Sequence, residues 1–157
     1  MNGKTACFIG HSEILGNRNE LSHALTAAVE RHITEYGVTE FLVGNYGAFD
    51  HMTAAAVKRA KVQHSGIHLY PMLPYHPEQG RSLPDIEGFD NSVYPFELEG
   101  VPRRLAIPRL NRLMVEDADY AIAYVLHSWG GAATTLRYAE VRQRKGLMRI
   151  ENLAETI

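Results

Sequence analysis

The sequence predicts an α/β fold: a three-layer, Rossmann-like sandwich with an about five-stranded, mainly parallel sheet and helices on both faces. Two observations carry that reading. Short apolar runs of strand length alternate along the chain with longer segments of helical periodicity. The runs are also apolar almost throughout, as expected of strands covered on both faces rather than one.

The elements follow in order. Residues 5–9 form a short apolar run closed by Gly10 and read as the first strand. From 19 to 36, Leu21, Ala24, Leu25, Ala28, Val29 and Ile33 recur at helical spacing, and Gly37 supplies a C-terminal stop. A second strand spans 39–43, and the Gly44 to Gly47 segment turns the chain. Asp50 is then placed to cap an Ala-rich helix running to about 63. A third strand falls at 67–70.

Composition changes next. All seven prolines lie between Pro71 and Pro108, so 74–102 reads as a long irregular excursion. Loops of that length in compact domains are commonly functional. Tyr75, Phe89, Tyr94 and Phe96 supply aromatic anchors and favour an ordered lid. A helix follows with Pro108 at or near its first turn and Leu110, Leu113 and Met114 on one face. Residues 120–126 form a fourth strand, Gly130 opens a helix to about 145, and 147–150 close the series. No repeat or second domain is visible across 1–157.

Composition excludes several classes. With 157 residues, 45% hydrophobic and 22% charged, the chain is neither disordered nor low-complexity. Sixteen Lys and Arg against 18 Asp and Glu give a net charge of −2, which counts against nucleic acid and anionic membrane as partners. No run of 18 apolar residues and no signal peptide are present, so a cytoplasmic address is expected. Cys7 alone makes neither a disulfide nor a cysteine zinc cage, and sits in a strand as an inert packing residue.

Ligands of open parallel sheets bind beyond the carboxyl ends of the strands. That draws attention to Gly10 and His11, to Gly44 through Asp50, to the 74–102 excursion and to His127 through Thr134. A P-loop (G-x-x-x-x-G-K-S/T) and a G-x-G-x-x-G fingerprint are both absent, arguing against a P-loop NTPase and a conventional NAD enzyme. The strongest local signal is His-Ser-Trp-Gly-Gly-Ala-Ala-Thr-Thr from His127 to Thr135. Its small residues and helix N-terminus suit a phosphate, although a tight strand-to-helix turn would also use Gly130 and Gly131.

Arg109 and Arg112 share a helix face suited to phosphate or carboxylate. A solvated face pairing with Glu116 and Asp117 is the plainer reading of the same residues. His11, His51, His76 and His127 follow strands, whereas His23, His32, His64 and His68 read as surface or core-edge residues. No metal spacing such as H-E-x-x-H occurs, so no metal is expected. Asp50, Asp90, Glu97 and Glu140 are the candidate acids and bases, Asp50 being the most interesting for its place after a Gly-rich loop.

Taken together, Cys7 through Ser12, Gly44 through Asp50, Tyr94-Pro95, Arg109 through Val115 and His127 through Ala133 resemble the SLOG superfamily. That Rossmann-like group includes LOG-type nucleotide hydrolases and the DNA-uptake protein DprA, and the likeness is closest to its small single-domain bacterial members. The resemblance implies a phosphate-bearing, nucleotide-like ligand. It would be held by Gly10 and His11, Gly44 to Asp50, Arg109 and Arg112, and Gly130, Gly131, Ala132 and Thr134. No other cofactor is implied, and self-association is left open.

LOG hydrolases carry P-G-G-x-G-T-x-x-E. Here Trp129, Ala133 and Arg137 replace the proline, third glycine and glutamate. A permanently protonated arginine cannot stabilise an oxocarbenium-like sugar or act as its acid or base. The expected function is therefore nucleotide binding of sensor type. The alternative is an N-glycosidic or phosphate hydrolase using a shifted carboxylate, Glu140 or Asp50. A DprA-like single-stranded DNA binder ranks behind both on charge.

Overall fold

Alternation along each strand decides which layer every core residue joins. In the computed structural model, which describes residues 3–45, 47–76 and 87–157, strand β1 spans Lys4–Gly10. Its Ala6 and Phe8 face one helical layer while Cys7 and Ile9 face the other. The pattern repeats in β2 (Val38–Val43), with Phe41 and Val43 opposed to Leu42. It recurs in β4 (Tyr120–Tyr124), where Ile122 and Tyr124 oppose Ala121 and Ala123. With β3 (His68–Pro71) and β5 (Arg149–Asn152), these strands form one all-parallel sheet in the order β3-β2-β1-β4-β5.

Helices α1 (Arg18–Thr34) and α2 (Ala48–Gln63) pack on the first face, burying Leu21, Leu25, Val29 and Val57. Helices α3 (Arg103–Asp117) and α4 (Gly131–Arg144) pack on the second through Leu110, Leu113 and Ala139. The expected α/β sandwich is the observed fold. No helix among the described residues is long and apolar enough to cross a membrane.

Several local expectations change. Asp50 is not the cap of α2: the helix starts earlier, with Gly47 in the cap position and Asp50 in the first turn, where its charge favours the helix dipole. The Ala48 N–H donates to the Ser12 carbonyl at 2.8 Å, which ties α2 to the loop after β1. Helix α3 begins after Pro102, so Pro108 lies inside it rather than in its first turn. His32 is core, not surface: it is 1% exposed, its Nδ1 lies 2.7 Å from the Ala28 carbonyl, and its ring meets Tyr36 and Tyr120 edge-on.

Of the 74–102 excursion, 77–86 lie outside the described residues. The rest is tied down. Val93 bridges Met72 beside β3, and the Asp90 carboxylate accepts from the Leu69 N–H and from Lys61 Nζ, each at 2.7 Å. Burial would raise that carboxyl's pKa, but Lys61, the Leu69 N–H and His68 outweigh it and hold it below the usual range. Asp90 is thus an anchor of the loop. Cys7 is fully buried, and burial pushes its thiol up to about 12.

Candidate functional site

The sheet's connections run outward from β1 through β2 to β3, then return to β4 on β1's other side. At such a reversal the loops after β1 and β4 diverge and leave a crevice. β1 and β4 pair as far as Gly10 and Tyr124. Beyond them lies a cavity of about 390 Å³, within the size range of small-molecule sites.

Each wall has a separate origin. Gly10, His11, Ser12, Glu13 and Leu15 come from the loop after β1, and Gly44 and Asp50 from the β2–α2 connection. Ile107, Asn111 and Met114 project from α3, while His127, Trp129, Gly130, Gly131, Ala132 and Thr135 surround the start of α4.

Glycine is required at two of these places for different reasons. A Cβ on Gly10 would lie 2.3 Å from the Phe49 ring, so the first loop closes onto α2 only without a side chain. Gly130 has φ 90°, a left-handed conformation that glycine adopts without strain. Among the described residues, a Cβ on Gly131 would meet nothing within 4 Å, so α4 begins beside open space there.

Three aromatic rings form a column at the rim. His11 stacks on His127 with centroids 4.0 Å apart, and His127 stacks on Trp129 at 3.9 Å. His11 Nε2 accepts the Leu126 N–H at 3.0 Å, which places its proton on Nδ1. His127 Nδ1 lies 3.0 Å from the Trp129 carbonyl, so it donates there. Burial, and secondarily His127, lower the His11 pKa. Trp129 remains 67% exposed although one face is covered.

Of the residues expected at a ligand site, Gly10, His11, Gly44, Asp50, Gly130, Gly131 and Ala132 come together around the cavity. Arg109, Arg112 and Thr134 do not line it. With Leu110 and Met114 buried, α3 turns Ile107 and Asn111 inward and leaves both arginines exposed, Arg112 lying over the Tyr138 ring. The Thr134 hydroxyl donates back to the Gly130 carbonyl.

Glu140 is likewise absent from the lining, which leaves Asp50 as the carboxylate of the two candidates that reaches it. Arg137 folds over the loop instead of into the cavity, donating to the Ser128 carbonyl at 3.0 Å. Tyr46 lies outside the described residues, and no described residue of 87–102 lines the cavity. Sequence reasoning missed Ile107, Asn111 and Met114; their spacing of four and three was the available signal.

No protein-family model matches the chain. No curated protein matches it either. Among solved structures it is similar to DNA processing protein A of Helicobacter pylori, described for a unique single-stranded DNA binding mode. The identity is 13% over 94% of this chain and 75% of that one, with a TM-score of 0.49. A likeness at this level concerns the fold.

The expectation that net charge makes nucleic acid an unlikely partner is corrected: the solved structure reported above is described for binding single-stranded DNA, a property of that protein. The physical reason is that a whole-chain sum hides local fields. Helix α3 carries Arg103, Arg104, Arg109 and Arg112 against Glu116 and Asp117, and α4 carries Arg137, Arg142 and Arg144 against Glu140.

Proposed function

We propose that the protein binds a phosphate-bearing nucleotide or nucleotide derivative in the cavity beyond β1 and β4. The observation that carries this reading is the open space at Gly131, where the first turn of α4 adjoins a cavity rather than a neighbouring side chain. Unpaired N–H groups and the helix dipole favour an anion at such a place. The resemblance to the SLOG superfamily points the same way.

The test is thermal unfolding with mono-, di- and cyclic nucleotides and with short single-stranded oligonucleotides. A ligand at about 100 times its Kd stabilises the fold by roughly 2.7 kcal/mol. Gly131→Val places a side chain where a Cβ meets no described atom within 4 Å, so it abolishes the shift and leaves the free protein folded. No response to any of the panel at millimolar concentration overturns the reading.

Hydrolysis of the bound nucleotide is the second reading, and Asp50 is the observation that favours it. It supplies a carboxylate at the cavity, the group needed against positive charge developing on a ribose. Chromatography of AMP, GMP, CMP and UMP reaction mixtures tests it. Free base released by the wild type and lost in Asp50→Asn supports hydrolysis, and no base released leaves a binding protein.

A further inference from the structure

We infer that Trp129 is a stacking platform and that the cavity's ligand carries a planar heterocycle which becomes the fourth ring of the His11–His127–Trp129 column. This rests on the nucleotide-site reading above and adds the part of the ligand that a phosphate contact leaves unspecified.

Three features support it. The column is built from its base upward: the Leu126 N–H fixes His11, and His127 is held by its own contact to the Trp129 carbonyl. The rings are near-parallel, at 28° and 14°, with spacings of 4.0 and 3.9 Å that leave no room for another group between them. The covered face of the indole is therefore inside the column, and its 67% exposure belongs to the outer face and edges.

His11, His127 and Trp129 all line the cavity that Gly130 and Gly131 also line. An exposed indole held by stacked partners is a rigid apolar surface, and any nucleobase presents a π-face to such a surface without needing a particular hydrogen-bond pattern. Apolar Ile107 and Met114 occupy the α3 wall of the same space, suited to a ring rather than to a second charged group.

Trp129 is the only tryptophan in the chain, so intrinsic fluorescence reports on this ring alone. The probes are AMP and ribose 5-phosphate, which share a phosphorylated sugar and differ in the base. AMP quenches the emission saturably, while ribose 5-phosphate binds by calorimetry without that quench. Trp129→Ala weakens AMP by about tenfold or more, the loss expected when a base–aromatic stack is removed. It leaves ribose 5-phosphate unchanged, and Trp129→Phe retains most of the AMP affinity.

AMP binding of equal strength to wild type and Trp129→Ala, with no quench, overturns the stack and leaves the phosphate reading standing. Equal weakening of both probes by Trp129→Ala also overturns it, because the side chain then acts on the loop rather than on the base. Failure of both probes to bind the wild type overturns the platform as stated, while the nucleotide reading stands or falls on the wider panel above.

Discussion

The two ends of the sheet each carry a cluster of histidine and aromatic rings, and they differ in what covers them. At the amino end, His32, Tyr36 and Tyr120 close on one another: the tyrosines stack at 5.1 Å, the imidazole meets both edge-on, and Arg149 lies over Tyr36. At the carboxyl end, His11, His127 and Trp129 stack in sequence and stop at an exposed indole beside a cavity. The first cluster buries its imidazole, whereas the second ends on an indole that is 67% exposed.

The largest expected effect lies at the amino end. His32→Ala removes a fully buried ring and costs roughly 2–3 kcal/mol, read from urea denaturation. A cost below about 0.5 kcal/mol, the level of an ordinary surface change, would break the contrast between the clusters. Next comes Gly10→Ala, whose new methyl must displace the buried Phe49 ring and costs about 1–3 kcal/mol. Gly131→Ala serves as its counterpart beside the cavity and stays within about 0.5 kcal/mol.

Acidification probes both ends at once. Burial lowers the pKa of His32, and burial with His127 lowers that of His11, so the folded protein binds fewer protons than the unfolded chain. Stability is therefore complete above the unfolded value of about 6.5 and is lost as pH falls from there through the folded values. Urea midpoints measured between pH 8 and pH 5 fall accordingly. His11→Asn reduces the dependence and leaves the share due to His32; an unchanged slope would show that His11 does not contribute. The smallest effect is Trp129→Ala in the ligand-free protein, within about 0.5 kcal/mol of wild type, because its exposed ring supports nothing beyond the column.

The sheet was legible because a strand buried on both faces must be apolar throughout, and 120–126 is nearly so. The cavity-lining residues at strand ends, such as Gly10, His11 and Gly130, were legible for a related reason: parallel topology assigns every loop to an edge before any packing is known. The wall supplied by α3 was not. Whether Asn111 or Arg112 faces inward depends on the rotation of the helix, which burial of Leu110, Leu113 and Met114 decides.

The start of α3 was misplaced because both Pro102 and Pro108 suit a helix beginning; the helix takes the earlier one and buries Ala106 ahead of Pro108. His32 was hidden by its type: a histidine at a core position of α1 has the spacing of a leucine but the polarity of a surface residue.

Pro108 sets how the cavity wall opens in time. Lacking an N–H, it leaves the Arg104 carbonyl without the bond that the helical pattern would give it, so the first turn of α3 is joined to the remainder by fewer rungs. Ile107 stands ahead of that break and Asn111 and Met114 behind it, so one wall is drawn from two segments of unequal persistence. Amides before Pro108 therefore exchange with solvent deuterium through local fraying, while those around Leu113 wait for a larger opening of the molecule.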